Sequence, residues 1–303
     1  MTPLQYHYRE CDSIVKSPVL STLHMRGSPG ANSTWRALAR EAGIGAEHIA
    51  IGMTALGKAD FSHEWRYSQA FFALSVGFER TAKLELVVDY ALRSNGKFPP
   101  PKMVRDYGHD LRTLFDRVQD IAARQGLVNA GKGLPGTPIH KAIIDVLSDF
   151  AGNVTRYYNL DFLTGATSGK NVVDPISDWF RRVIDPILAT HYAERTKERD
   201  HERSQIQGEL LGPYALVRAH DESGNPITSV SEAAEHAYAT TFAISYTRLY
   251  VGQLARFLAQ VIDELSHAAL SAQLDVIPVF SDFYRVFLTQ DRFFRELKTW
   301  TIH

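Results

Sequence analysis

The 303-residue chain predicts an all-α protein. Three observations carry this. Apolar residues recur 3, 4 and 7 positions apart over long stretches, the period of a helix. Clusters of proline, glycine and asparagine separate those stretches. Apart from a hairpin candidate after residue 210, no segment alternates apolar and polar residues as a half-buried strand does. The composition is globular, 45% hydrophobic and 22% charged, which excludes disordered and fibrous classes. The expected architecture is an N-terminal extension over 1–58, a helical bundle over 59–205, and a C-terminal helical portion over 206–303, with long helices, packing on the bundle.

Gly27, Pro29 and Gly30 keep the first 32 residues irregular. Ser33-Thr34 caps a short helix to about Glu41, stopped by Gly43 and Gly45. The clearest element runs from His63 to Ser94 without a proline. It carries two apolar stripes, one through Leu74, Phe78, Glu85 and Leu92, the other through Trp65, Phe72, Val76 and Val87. Two stripes imply neighbours on two sides. Asn95-Gly96 and then Pro99-Pro100-Pro101 end it. A second helix over 109–125 has one face of Leu111, Leu114, Phe115, Val118, Ile121 and Ala122. A glycine- and proline-rich loop leads to Pro138, a favoured first-turn residue, and a third helix to Ala151. Residues 154–170 read as a loop with embedded aromatics. Asp174-Pro175 opens a fourth helix, kinked at Pro186, that ends in the charge run 194–203. Residues 208–229 read as loop and hairpin, with turn residues Pro213, Gly224, Asn225 and Pro226. Ser229 or Ser231 caps a long helix to about Ala272, and Pro278 opens a last helix ending near Trp300.

The net charge of −1 and pI of about 6.9 argue against a broad basic nucleic-acid face and leave room for a local basic pocket. A single cysteine, Cys11, builds neither a disulfide framework nor a cysteine zinc site. Residues 1–10 lack the apolar core of a signal peptide, and no apolar run reaches the roughly 18 residues of a membrane span. The expected location is cytoplasmic, with no membrane partner. Gly165-x3-Gly169-Lys170 lacks phosphate-loop spacing, and neither His63-Glu64 nor His201-Glu202 extends to the two-histidine helical zinc pattern, so neither a cofactor nor a metal is expected.

Three fragments carry chemistry. Glu79 and Lys83 stand four apart on the first long helix. Gly108-His109-Asp110-Leu111 opens the second, and Thr155-Arg156-Tyr157 follows the third. In this order they resemble the HEPN superfamily of helical domains, over about residues 60–190. The family pattern has a proline where Tyr158 stands here. The resemblance implies a helical bundle, a homodimer, and a partner that is RNA or a nucleotide, in some members within defence or toxin–antitoxin systems. Some members are metal-independent endoribonucleases, marked by an arginine four to six residues before a histidine. Arg195 and His201 fit that spacing, but with 23 Arg and 12 His about three chance matches are expected. Positions six apart also lie about 120° from each other on a helix.

His109 and Arg156 are the candidate catalytic residues. A helix start favours anions, and an imidazole there acts as general base on a ribose 2′-OH. The plainer alternative is a histidine that caps the helix. An arginine fork suits phosphate and a tyrosine ring accepts any base face, so Tyr157, Asn159, Asp161, Glu79 and Lys83 form the candidate ligand-binding set. The plainer alternative pairs Arg156 with Asp161 or Glu79, makes Glu79–Lys83 an ordinary helical ion pair, and uses the tyrosines as packing. Three functions follow: an RNA- or nucleotide-binding protein, an endoribonuclease toxin, or a non-catalytic dimerising interaction module.

Overall fold

The computed structural model describes residues 32–152, 155–166 and 173–302; Cys11 and the first breakers lie outside them. The described chain is mostly helical, with one two-stranded hairpin. No described helix is long and apolar enough to cross a membrane.

Helix α1 spans Ser33–Leu56 and α2 spans Trp65–Arg93. They form the most extensive helix–helix interface in the chain. Asn32, not Ser33 or Thr34, caps α1, accepting from the Thr34 and Trp35 amides at 2.8 and 3.3 Å. Gly43 and Gly45 do not stop α1, contrary to the sequence expectation. Each mid-helix glycine costs about 1 kcal/mol against alanine, but here two of α1's glycines let backbones touch. A Cβ on Gly45 would lie 2.7 Å from Thr81 Oγ1, and one on Gly52 2.9 Å from the Leu74 amide nitrogen. The partner glycine is Gly77 on α2, whose Cβ would lie 2.7 Å from the Ile49 amide nitrogen. Packing outweighs propensity along this seam.

After the short α3 (Pro101–Asp106), α4 (Leu111–Arg124) and α5 (Pro138–Ala151) lie on α2 as expected from their apolar faces. Thr137 caps α5 in front of Pro138. Among the described residues of the expected loop lies a short helix, α6 (Tyr158–Leu163). Asp174 caps α7 (Pro175–Trp179), which passes through a π-helical turn, Phe180–Ile184, into α8 (Asp185–His191). The wide turn comes just ahead of Pro186, which has no N–H for the carbonyl four residues back. The helix ends at Tyr192 and Ala193, and the charge run forms a new helix, α9 (Glu194–Leu211).

The hairpin pairs Ala219 with Ile227 and His220 with Pro226, and Gly224 takes the positive φ its turn needs. Glu222, with its carboxylate fully buried, pins it: it accepts from His236 Nε2 at 2.6 Å and from the Tyr67 hydroxyl at 3.3 Å. Burial disfavours a charged His236, but the hydrogen bond and charge of Glu222 outweigh that and raise its pKa. A capping box of Ser229 and Glu232 starts α10 (Val230–Ser271). Helix α9 packs along α10, with Gln207 bonded to Tyr238 and His201 to Glu235.

The last segment is not one helix but three short pieces: α11 (Ser281–Tyr284), a 3₁₀ turn (Arg285–Phe287) and α12 (Asp291–Glu296). Side chains of α10 take up the carbonyls that the breaks release: Arg256 donates to Thr289 O at 2.9 Å, and Arg248 to the carbonyls of Phe294 and Arg295. Phe294 lies against Gly252, where a Cβ would collide with its ring. One apolar core runs from Leu38 to Trp300, with α2 and α10 at its centre. Ring contacts Phe78–Phe115 and Phe115–Phe257 tie α2, α4 and α10 together.

Candidate functional site

The two stripes of α2 have opposite fates. Leu74, Phe78 and Glu85 are buried. The second stripe is more open among the described residues: Trp65 is 64% and Phe72 47% exposed, and Val76, Glu79, Lys83 and Val87 are half-buried. Residues seven apart lie within about 20° of one line and about 10 Å along the axis. Trp65, Phe72 and Glu79 therefore form one open strip.

At its C-terminal end sits a three-residue contact. Glu79 Oε1 accepts from Lys83 Nζ at 2.8 Å and from His109 Nδ1 at 2.9 Å. The Glu79–Lys83 pair is the helical ion pair expected from their spacing. His109 does not cap α4. Asp110 does, accepting from the Thr113 amide, from Thr113 Oγ1 at 2.7 Å and from Ser148 Oγ at 2.5 Å. Burial opposes the charge on Asp110, but hydrogen bonds from Ser148, Thr113 and Arg112 outweigh it and hold the carboxyl well below its usual range. Gly108, at φ +70°, makes the turn that brings His109 back toward α2. A carboxylate oxygen only accepts, so the shared proton is on Nδ1. In the neutral ring Nε2 is then the acceptor, on a side chain 70% exposed.

At Phe72 sits the second group. The Arg156 guanidinium lies 5.2 Å over the Phe72 ring and 5.7 Å over Phe150. It pairs with neither Asp161 nor Glu79; the aromatic faces hold it. Its Nε is buried with no hydrogen-bond partner, and so is the Thr155 hydroxyl. Other parts of Arg156 and Thr155 line a cavity of about 210 Å³, together with Ser68, Tyr157, Asn159 and Asp174. Tyr157 is 54% exposed. Asp161, half-buried on α6, does not line this cavity.

The structure thus joins Glu79, Lys83 and His109 in one contact, and Arg156, Tyr157 and Asn159 around one cavity. The two groups touch the same open strip two helical turns apart. Reading the sequence missed Trp65 and Phe72 as exposed faces and Thr155 as a cavity residue. The second stripe was visible, but an apolar stripe by itself does not say whether anything covers it.

Arg195 and His201 do not form a pair. Both lie on the regular turns of α9, and His201 bonds Glu235. A larger cleft of about 1160 Å³ opens between the 127–137 loop, α10 and residues 288–293. Its chief polar groups are already engaged. His140 is bonded to Thr137 and Gln253, and its burial lowers its pKa; Arg256 is paired with Asp291 at 2.7 Å. Among the described residues no group of three or more His, Cys, Asp or Glu is placed to hold a metal ion. Comparison with protein-family models, with curated proteins and with solved structures finds no match to this chain.

Proposed function

We propose that this chain is a HEPN-like protein that binds single-stranded RNA or a nucleotide along the open strip of α2. The carrying observation is the register of the strip: exposed Trp65 and Phe72, then Lys83 and His109, with Arg156 and Tyr157 beside Phe72. Exposed aromatic faces with cations beside and beyond them suit a single strand, because bases stack without regard to sequence while the cations meet phosphate. This needs no broad basic face, in keeping with a net charge of −1. The two groups stand about 10 Å apart along α2, so they serve neighbouring nucleotides rather than one phosphate. A homodimer and a defence or toxin–antitoxin setting belong to the reading through the resemblance alone.

One observation favours the endoribonuclease as a second reading. Glu79 holds His109 Nδ1 and leaves Nε2 outward, which is how a carboxylate prepares an imidazole to take a proton from a 2′-hydroxyl. Total RNA incubated in EDTA with wild type, His109→Ala and Arg156→Ala separates the readings on native and denaturing gels. Retardation without fragments, weakened in Arg156→Ala, is the expected result. Fragments lost in His109→Ala establish the ribonuclease. Neither retardation nor fragments overturns both and leaves the interaction module.

A further inference from the structure

We propose that the cavity beside Arg156 is a base pocket that accepts one guanine, read along its O6 and N7 edge by the Arg156 guanidinium. This rests on the RNA-binding reading and adds which base the site selects.

Four observations lead there. The cavity, about 210 Å³, exceeds the roughly 150 Å³ that holds a benzene ring. It has room for a fused ring system, while a ribose and phosphate stay outside, along the α2 strip. Its walls include the rings of Phe150, Tyr157 and Tyr158, which suit a flat heterocycle. Arg156 has rings against its guanidinium, Phe72 at 5.2 Å and Phe150 at 5.7 Å, so its recognition edge is the in-plane fork of N–H groups. Finally, Arg156 and Thr155 line the cavity while Arg156 Nε and Thr155 Oγ1 are closed to solvent and unpartnered, so the outer Nη groups of the guanidinium are the ones that meet a ligand.

The edge chemistry selects the base. A guanidinium fork presents two donors side by side, and guanine presents two adjacent acceptors, O6 and N7. Adenine places a donor, N6, beside N7, so one arm of the fork meets another donor. Cytosine presents a donor and uracil a single acceptor beside an apolar edge. Guanine's own N1 and N2 donors require an acceptor, which the Asn159 amide oxygen provides. Asn159 is exposed at the cavity wall.

The test is calorimetric titration of the full chain with GMP, AMP, UMP, CMP and 7-deaza-GMP, which lacks the N7 acceptor. GMP is expected to bind at least tenfold tighter than AMP, the scale of a bidentate arginine contact. 7-deaza-GMP is expected to lose most of that preference. Arg156→Lys, a cation without the fork, is expected to bind all the nucleotides alike, with an unchanged melting temperature showing that the fold is kept. Equal affinity for the four natural nucleotides, or a guanine preference that survives Arg156→Lys, overturns the pocket. Single-stranded RNA that still binds in that event leaves the α2 strip standing; an absence of both RNA and nucleotide binding overturns both.

Discussion

The two stripes of α2 share one helix and comparable apolar content, yet one is sealed and the other is open. Leu74, Phe78, Thr81 and Glu85 face a core in which even the backbones touch, through Gly45, Gly52 and Gly77. Trp65 and Phe72 face water. The difference lies in the partners. Helix α1 brings small residues that allow contact without a gap. Beside the second stripe, among the described residues, stand the side chains of His63, His109 and Arg156, the last two reaching in from the turns before α4 and α6. An apolar stripe left open beside cations is the surface proposed to bind; the same kind of stripe against glycines is a seam.

The largest expected effect breaks the sealed side. Gly77→Val places a branched side chain where a Cβ is already 2.7 Å from the Ile49 amide nitrogen. Overpacking of this kind costs about 3 kcal/mol, read as a lowered denaturation midpoint. Trp65→Ala, on the open side of the same helix, should stay within about 0.5 kcal/mol of wild type.

The next effect concerns a flaw in the sealed side. Glu85 is fully buried, neither oxygen has a hydrogen-bond partner, and burial pushes its pKa well up. Its folded form binds a proton that the unfolded chain releases above about pH 4.3. Its favourable share of stability is therefore present below that pH and lost as pH rises toward the folded pKa. Glu85→Leu should stabilise the protein by about 1–3 kcal/mol at neutral pH, and the fall of stability from pH 5 to 8 should flatten. His236 acts in the same direction. Its raised pKa means that its contribution is present below about pH 6.5 and lost as pH rises through the folded value, so a residual slope in the Glu85 variant should shrink further in Glu85→Leu/His236→Gln.

The smallest effect sharpens the open side. Lys83 makes an i,i+4 pair with Glu79. Lys83→Ala should change stability by less than about 0.5 kcal/mol, yet lower the salt dependence of RNA binding by about one phosphate contact. Melting curves and a salt titration check the two halves.

Much of the fold was legible where local chemistry decides it. The starts of α5 and α10 follow from Thr137-Pro138 and from Ser229 with Glu232, and the faces of α4 and α5 follow from their period. What was not legible depends on distant parts of the chain. Gly43 and Gly45 read as a stop because their propensity is local, while the packing of α2 that overrides it is not. The segment after Pro278 has a helical period, yet it breaks where Arg248 and Arg256 of α10 can serve its carbonyls. Of the site, Glu79, Lys83 and His109 were each visible, and the Glu79–Lys83 pair follows from spacing. The Glu79–His109 contact spans 30 residues, and the stacking of Arg156 on Phe72 spans still more; no spacing rule reaches that far.

The central claim is that the open strip of α2 holds a single strand. Its most direct test is fluorescence anisotropy of a short single-stranded RNA, beside a duplex of the same sequence, titrated with wild type, Trp65→Ala and Phe72→Ala. The account predicts saturable binding of the single strand over the duplex. It also predicts a loss of about fivefold or more in each variant, the low end of one base–aromatic stack, with melting temperatures unchanged. Single-strand binding that is absent in wild type, or undiminished in both variants, would contradict it.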